Sequence, residues 1–319
     1  MKSKPVILFL ESEGFSPDAL SNLSSSFDVV FCTLENLPAI SSTENIEGLF
    51  VRLKFYIDDS VLNYLPNLKF VISPTTGHSH LDTVALERRK IKLVSLKGET
   101  AFLSSITATA ELTWGLILSL TRLIPSAVSH VAAGGWDRDK FRGIDLAGRT
   151  LGIVGYGRLG QIVESYANAF RMNVLIYDIA PRVPVFGQSV SLTQLLGNSD
   201  IVTVHVDVNP NSVNMFSDDA FCCMKRSSLF INTSRGELID EHALIRALNS
   251  GQISAAATDV VRDEQTGLSA SPLMRSLAEL QGRLLITPHI GGASLDSMSK
   301  TENFIVTRVL EMGLGVAKV

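Results

Sequence analysis

Residues 151–178 read LGIVGYGRLGQIVESYANAFRMNVLIYD, and this stretch decides the fold. It opens on the apolar run Leu151–Val154, of strand length, and passes into Gly155-Tyr156-Gly157-Arg158-Leu159-Gly160. Leu159, Ile162, Val163, Tyr166, Ala167 and Phe170 then fall on one helical face. A second apolar run, Val174–Tyr177, ends at Asp178. A lone G-x-G-x-x-G means little, but strand, glycine turn, amphipathic helix, strand and acid in this order form a dinucleotide-binding fingerprint. Gly155 allows the tight turn, Gly157 lets the backbone approach a pyrophosphate, and Gly160 lets helix and strand pack closely. The helix N-terminus offers N–H groups and a positive dipole end to the phosphates. Asp178 would accept from the ribose hydroxyls and repel a 2′-phosphate, which favours NAD over NADP.

Downstream, strand candidates recur at Ile201–His205, Leu229–Asn232, Ala255–Asp259 and Leu284–Thr287, with helices such as Asp240–Asn249 between most of them. Together with the first two they make six strands, two βαβαβ halves of a doubly wound parallel sheet. Upstream, Val6–Leu10, Val29–Cys32, Gly48–Leu53, Phe70–Ile72 and Ile91–Val94 alternate with short amphipathic segments near Pro17–Leu23, Asp59–Leu65 and Asp82–Arg89. That alternation is a second α/β unit. One long helix is expected over Ala101–Ile124, ended by Pro125, and a last one over Ser294–Leu314. The expected architecture is α/β: a Rossmann-like domain over 99–292, and a smaller, flavodoxin-like substrate domain over 1–98 with 293–319, to which the last helix returns.

The 319 residues suit two domains, and 45% hydrophobic with 19% charged residues excludes a disordered chain, a coiled coil or a collagen-like fibre. A net charge of −4 with interspersed signs argues against nucleic acid and anionic membranes as partners. The Val6–Leu10 run is too short for a signal segment, and Ala101–Ile124 is interrupted by Ser104, Ser105, Glu111 and Arg122. Cys32, Cys222 and Cys223 make neither a disulfide framework nor a metal site; free thiols in a cytoplasmic protein are expected, and no metal.

Ligands of open α/β sheets bind at strand C-terminal ends. There lie Arg235, in Asn232-Thr233-Ser234-Arg235-Gly236, Asp259 with Glu264 five residues on, and His289, in Thr287-Pro288-His289-Ile290-Gly291-Gly292. Singly each reads as a surface ion pair, a solvated acid or a structural histidine. On one rim they fit the reduction of a ketone beside a carboxylate. A guanidinium holds the carboxylate bidentately, an imidazole protonates the developing alkoxide, and a carboxylate orients that imidazole. Arg235, His289 and Glu264 fit those roles in that order.

These motifs resemble the NAD-dependent D-2-hydroxyacid dehydrogenases, the family of phosphoglycerate, glyoxylate/hydroxypyruvate and D-lactate dehydrogenases. The resemblance rests on Leu151–Asp178, Asn232–Asp240, Ala257–Glu264 and Thr287–Gly292, and more weakly on Gly77–Asp82 and Thr109–Leu112. It implies catalytic Arg235, Glu264 and His289, and a small D-2-hydroxy acid or 2-keto acid handled between the two domains. It implies cofactor contacts at Thr76, Arg158, Leu159, Asp178, Val206, Thr233, Ser234, Asp259, His289 and Gly292, with Asp259 on the nicotinamide carboxamide. Substrate contacts are implied at Thr76, Gly77, Arg235 and Arg52. It also implies a homodimer built on the cofactor domains, with Trp136 and Arg138 in an edge loop; Trp136 reads equally as a surface aromatic covering a helix end. Because the last helix lies close to residue 319, no appended serine-sensing domain is expected.

Departures bear on the substrate. Ser73-Pro74-Thr75-Thr76 stands where members using phosphoglycerate usually carry an Arg. Arg52, with Lys54 near, matches a phosphate-binding position; both residues read equally as strand-end charges. His205-Val206-Asp207 replaces the usual Thr-Pro pair, and the 264–289 loop, with a flap expected over Thr266–Pro272, looks long. His78 and His80 read as turn histidines or as substrate contacts. An alternative of another class is an NAD(H)-sensing scaffold like the corepressors of this fold, against which the complete Arg/Glu/His set argues. A formate dehydrogenase would lack the Glu that pairs with the His.

Overall fold

The computed structural model describes residues 4–40, 42–265 and 267–314. Thr266 of the expected flap, and 1–3 and 315–319 of the expected first domain, lie outside the described residues. The chain divides into two compact units, 1–105 with 294–319, and 106–293.

In the first unit, β1 (Val6–Phe9), α1 (Pro17–Ser24), β2 (Asp28–Phe31), β3 (Ile46–Phe50), α2 (Asp59–Leu62), β4 (Phe70–Ser73), α3 (Thr83–Arg88), β5 (Lys92–Ser95) and α4 (Thr100–Leu103) follow one another. The strands pair in parallel in the order β2-β1-β3-β4-β5, the flavodoxin-like order. β4 is buried throughout, so it reads as an unbroken apolar run. α1 begins where Ser16 caps it by accepting from Ala19 N (3.4 Å) and Pro17 fills a first-turn position that needs no N–H donor.

The second unit holds α5 (Ala108–Thr121), α6 (Ile124–Ala132), β6 (Thr150–Val154), α7 (Arg158–Ala169), β7 (Asn173–Tyr177), β8 (Gln188–Ser189), α8 (Leu192–Asn198), β9 (Ile201–Val204), α9 (Asp218–Cys223), β10 (Ser228–Asn232), α10 (Glu241–Asn249), β11 (Ile253–Thr258), α11 (Pro272–Ser276) and β12 (Leu284–Ile286). Among the described residues its parallel sheet has seven strands, not six, in the order β12-β11-β10-β9-β6-β7-β8. The chain's direction across the sheet reverses between β6 and β9, the switch point at which such sheets bind ligands. α12 (Leu295–Glu311) packs on α1 in the first unit, as expected for the last helix.

The expected helix over Ala101–Ile124 is three pieces. Ser104 and Ser105 turn their hydroxyls onto the carbonyls of Ala101 (2.7 Å) and Phe102 (2.9 Å), a local bonding that competes with helix continuation. The unit boundary falls there, at Ser105/Ile106 rather than at 98/99. Leu123 adopts a left-handed conformation (φ 54°) between α5 and α6, so Pro125 opens α6 instead of closing α5. The stretch 100–121 is long and apolar enough to cross a membrane by those measures alone. Within it, Ala110, Trp114, Leu116, Ile117 and Leu120 of α5 belong to the core of the second unit.

Candidate active site

At the carboxyl end of β6 the glycine turn has the form its sequence demands. Gly155 has φ 95°, and a Cβ there would lie 2.7 Å from the His205 carbonyl group. A Cβ on Gly160 would lie 2.3 Å from the Gly155 carbonyl oxygen. Gly157 caps α7, and nothing lies within 4 Å of where its Cβ would stand. Tight backbone at two glycines and open space at the third, beside a helix N-terminus, fit a pyrophosphate. Asp178 Oδ2 accepts from Tyr156 N (2.7 Å) and Oδ1 from Ala180 N (2.8 Å), which fixes the carboxylate at the end of β7. Leu159 packs its side chain on the core. Arg158 donates Nη1 to the Ile106 carbonyl (2.6 Å) instead of reaching outward, and its burial lowers its pKa.

The loop after β10 is stitched to its neighbours. Ser234 Oγ donates to the Val206 carbonyl (2.5 Å), Thr233 Oγ1 meets Thr113 Oγ1 (2.7 Å), and Asn232 Nδ2 donates to the Arg235 carbonyl (2.9 Å). Arg235 follows in an extended conformation, half-buried, with Nη1 donating to the Ser234 carbonyl (2.7 Å). Gly236 is required because a Cβ there would lie 2.2 Å from the Val261 carbonyl carbon.

Glu264 and His289 are brought together. Glu264 Oε1 lies 2.5 Å from His289 Nδ1, and both side chains are 18% exposed. With Nδ1–H donating to the carboxylate, Nε2 is the ring position left for chemistry. His289 sits at φ 54°, its N–H donating to the Asp259 carbonyl (2.9 Å). Asp259 does not stand free for a nicotinamide carboxamide. Its Oδ1 accepts from Thr287 Oγ1 (2.5 Å) and Ile290 N (2.9 Å), and its Oδ2 from Gly291 N (2.7 Å). Burial raises its pKa against these bonds. The carboxylate therefore braces the turn that carries His289. Gly292, after that turn, is exposed with open space at its Cα.

In the first unit Thr76 is exposed on the loop after β4. Ser73 Oγ meets His80 Nε2 (3.0 Å) and Thr75 Oγ1 (2.9 Å), and Thr75 Oγ1 donates to the Gly77 carbonyl (2.9 Å). His80 is thus a buried turn residue and not a substrate contact; His78 Nε2 meets Ser95 Oγ (2.9 Å). Arg52, after β3, pairs its guanidinium with Glu302 of α12.

Three supporting carboxylates escaped sequence reasoning. Glu241, at the start of α10, accepts from Arg262 N (2.9 Å) through Oε1 and from Ser271 Oγ (2.8 Å) through Oε2, and so ties down the segment carrying Glu264. Glu164 accepts from the Tyr156 hydroxyl and from Phe186 N (3.0 Å) and Gly187 N (2.8 Å), holding β8's approach against the glycine turn. Burial and this bond push the Tyr156 hydroxyl up to about 12. Glu302 is only 1% exposed, in a helix whose Ile305, Val306 and Val309 are buried. An acid at i within an i+3, i+4, i+7 apolar stripe was the available signal for it.

Residues 114–291 match the model of the NAD-binding domain of the D-isomer specific 2-hydroxyacid dehydrogenases. The D-3-phosphoglycerate dehydrogenase of Sus scrofa is 34% identical over 280 residues, 86% of this chain and 50% of that protein. The glycerate dehydrogenase of Methylorubrum extorquens is 34% identical over 274 residues, 83% of each chain. A Thermus thermophilus crystal structure matches with a TM-score of 0.81 at 28% identity, over 97% of each chain. The chain spans about half the length of the phosphoglycerate dehydrogenases it matches. With the glycine turn, Arg235 and the Glu264–His289 pair in the matched segment or within its fold, the chain belongs to the D-isomer specific 2-hydroxyacid dehydrogenase family.

Proposed function

We propose that this protein is an NAD-dependent oxidoreductase that interconverts a small D-2-hydroxy acid and its 2-keto acid. The observation that carries the reading is the 2.5 Å Glu264–His289 contact on the same sheet rim as the glycine turn and Arg235. Gly157 and the α7 N-terminus would hold the NAD pyrophosphate and Asp178 the ribose; bound NADH supplies the hydride. His289 Nε2 delivers the proton to the substrate oxygen, and Glu264 holds the ring's orientation during transfer. Arg235 binds the substrate carboxylate with two charge-assisted hydrogen bonds.

The test is NADH oxidation with a panel of 2-keto acids, wild type beside Arg235→Lys. Lysine keeps the charge and loses the fork, so KM should rise and kcat fall while NADH binding stays intact. Wild-type kinetics in Arg235→Lys would remove the carboxylate anchor and with it the 2-hydroxy acid.

We further propose a homodimer through the second unit. α6 has no buried residue, and Ile124, Val128 and Val131 form an exposed apolar face near Trp136, which is 91% exposed. A monomer by light scattering would overturn this. We place the protein in the cytoplasm, where its free cysteines remain thiols.

A further inference from the structure

The carboxyl ends of β1 and β3 frame the switch point of the first sheet, and a cleft of about 640 Å³ opens there, lined in part by Glu11, Glu13, Cys32, Arg52 and Lys54. Arg52 is the cation that a phosphate entering this rim would need, and it is already committed. Its Nη2 donates to Glu302 Oε1, and its Nη1 to the Glu13 carbonyl (2.8 Å). Its guanidinium carbon lies 5.9 Å from the ring centroids of both Phe15 and Phe50. Glu302 is equally fixed: its Oε2 accepts from Ser16 N (2.7 Å), at the N-terminal end of α1, where a negative charge is favoured. Glu11 accepts from the backbone N–H of Arg52 (3.0 Å) and Lys54 (3.3 Å), adding a second carboxylate on the same rim. A phosphate dianion would have to displace a carboxylate that is 1% exposed and approach another, leaving the exposed Lys54 as its counter-charge.

We propose that Glu302 is a specificity-determining residue: by occupying Arg52 it turns the substrate unit away from phosphorylated substrates, so the 2-keto acid taken by this chain carries no phosphate. The inference rests on the function proposed above and narrows its substrate class. Rejection of this kind works through a built-in repulsive element, not through a better fit to the accepted substrate.

The experiment compares kcat/KM for hydroxypyruvate and 3-phosphohydroxypyruvate with NADH, on wild type, Glu302→Gln and Glu302→Asp. Wild type should favour the unphosphorylated acid by about tenfold or more, a difference of ~1.4 kcal/mol. Glu302→Gln should shrink that ratio through a gain with the phosphorylated acid, and Glu302→Asp should keep it. Each ratio comes from one preparation, so a loss of folded protein cancels. A wild-type preference for 3-phosphohydroxypyruvate, or a ratio unmoved in Glu302→Gln, overturns the inference and leaves the dehydrogenase reading standing. Turnover of no 2-keto acid at all overturns that reading, and the inference with it.

Discussion

The two units each carry a short contact between a carboxylate and a nitrogen base, and they use it in opposite ways. Glu264 and His289 are both 18% exposed, and the imidazole keeps Nε2 beyond the contact. Arg52 and Glu302 are 15% and 1% exposed, and the guanidinium is spent on Glu302 and a carbonyl, with Nε buried and unbonded. Both pairs satisfy the rule that a buried charge is paired. What separates the two pairs is the capacity left over: an imidazole bonded through one ring nitrogen keeps the other for a partner, whereas this guanidinium has Nη1 and Nη2 engaged and Nε buried.

Breaking the first pair should act on chemistry. His289→Ala should lower kcat by roughly 10²–10⁴-fold, the usual worth of a positioned acid/base. NADH affinity, measured by fluorescence titration, should hardly change, because the glycine turn and Asp178 lie on other loops. A kcat near wild type would leave His289 as a left-handed turn residue held by its bonds to Asp259 and Glu264.

Breaking the second pair should act on stability. Arg52→Met strands Glu302, almost wholly buried, and should cost about 3–5 kcal/mol in urea unfolding. Arg52→Met with Glu302→Gln removes both charges and should recover most of that loss. If the single and double variants unfold alike, the pair is not a coupled buried unit and the contrast between the two contacts fails.

Most of the fold that positions Glu264 and His289 was legible from residues alone. β9 and β10 are buried at every position, so parallel pairing shows as near-continuous apolar runs. Arg235, Glu264 and His289 were legible as candidates because each follows the carboxyl end of a strand of this sheet. β8 was not, since Gln188 and Ser189 are two exposed polar residues whose pairing with β7 leaves no pattern. The break between α4 and α5 was hidden because serines are tolerated in helices, and only their back-bonding to Ala101 and Phe102 reveals it. Arg52 was left open between a substrate contact and a strand-end charge for a deeper reason. Its partner is 250 residues away on α12, and a strand-end arginine carries no mark of what will neutralise it.

A second histidine of the same unit sharpens the contrast by lacking any carboxylate. His205 follows β9, its Nε2 meets Thr203 Oγ1 (3.0 Å), and its Nδ1 is buried without a hydrogen-bond partner. Enclosure of the ring pushes its pKa down from 6.5 to about 4. The folded protein therefore holds it neutral, while the unfolded chain takes up a proton near the ordinary value of about 6.5. The sign follows from linkage: the contribution is complete above that unfolded value and is lost progressively as pH falls toward about 4. The loss amounts to at most about 3 kcal/mol, less where the accessible edge of the half-buried residue admits water. His205→Gln keeps a partner for Thr203 and cannot titrate, so its unfolding free energy should fall less steeply than wild type across this window. Carboxylate protonation is common to both proteins and drops out of the difference. Parallel pH profiles would mean that His205 titrates alike in the folded and unfolded chains.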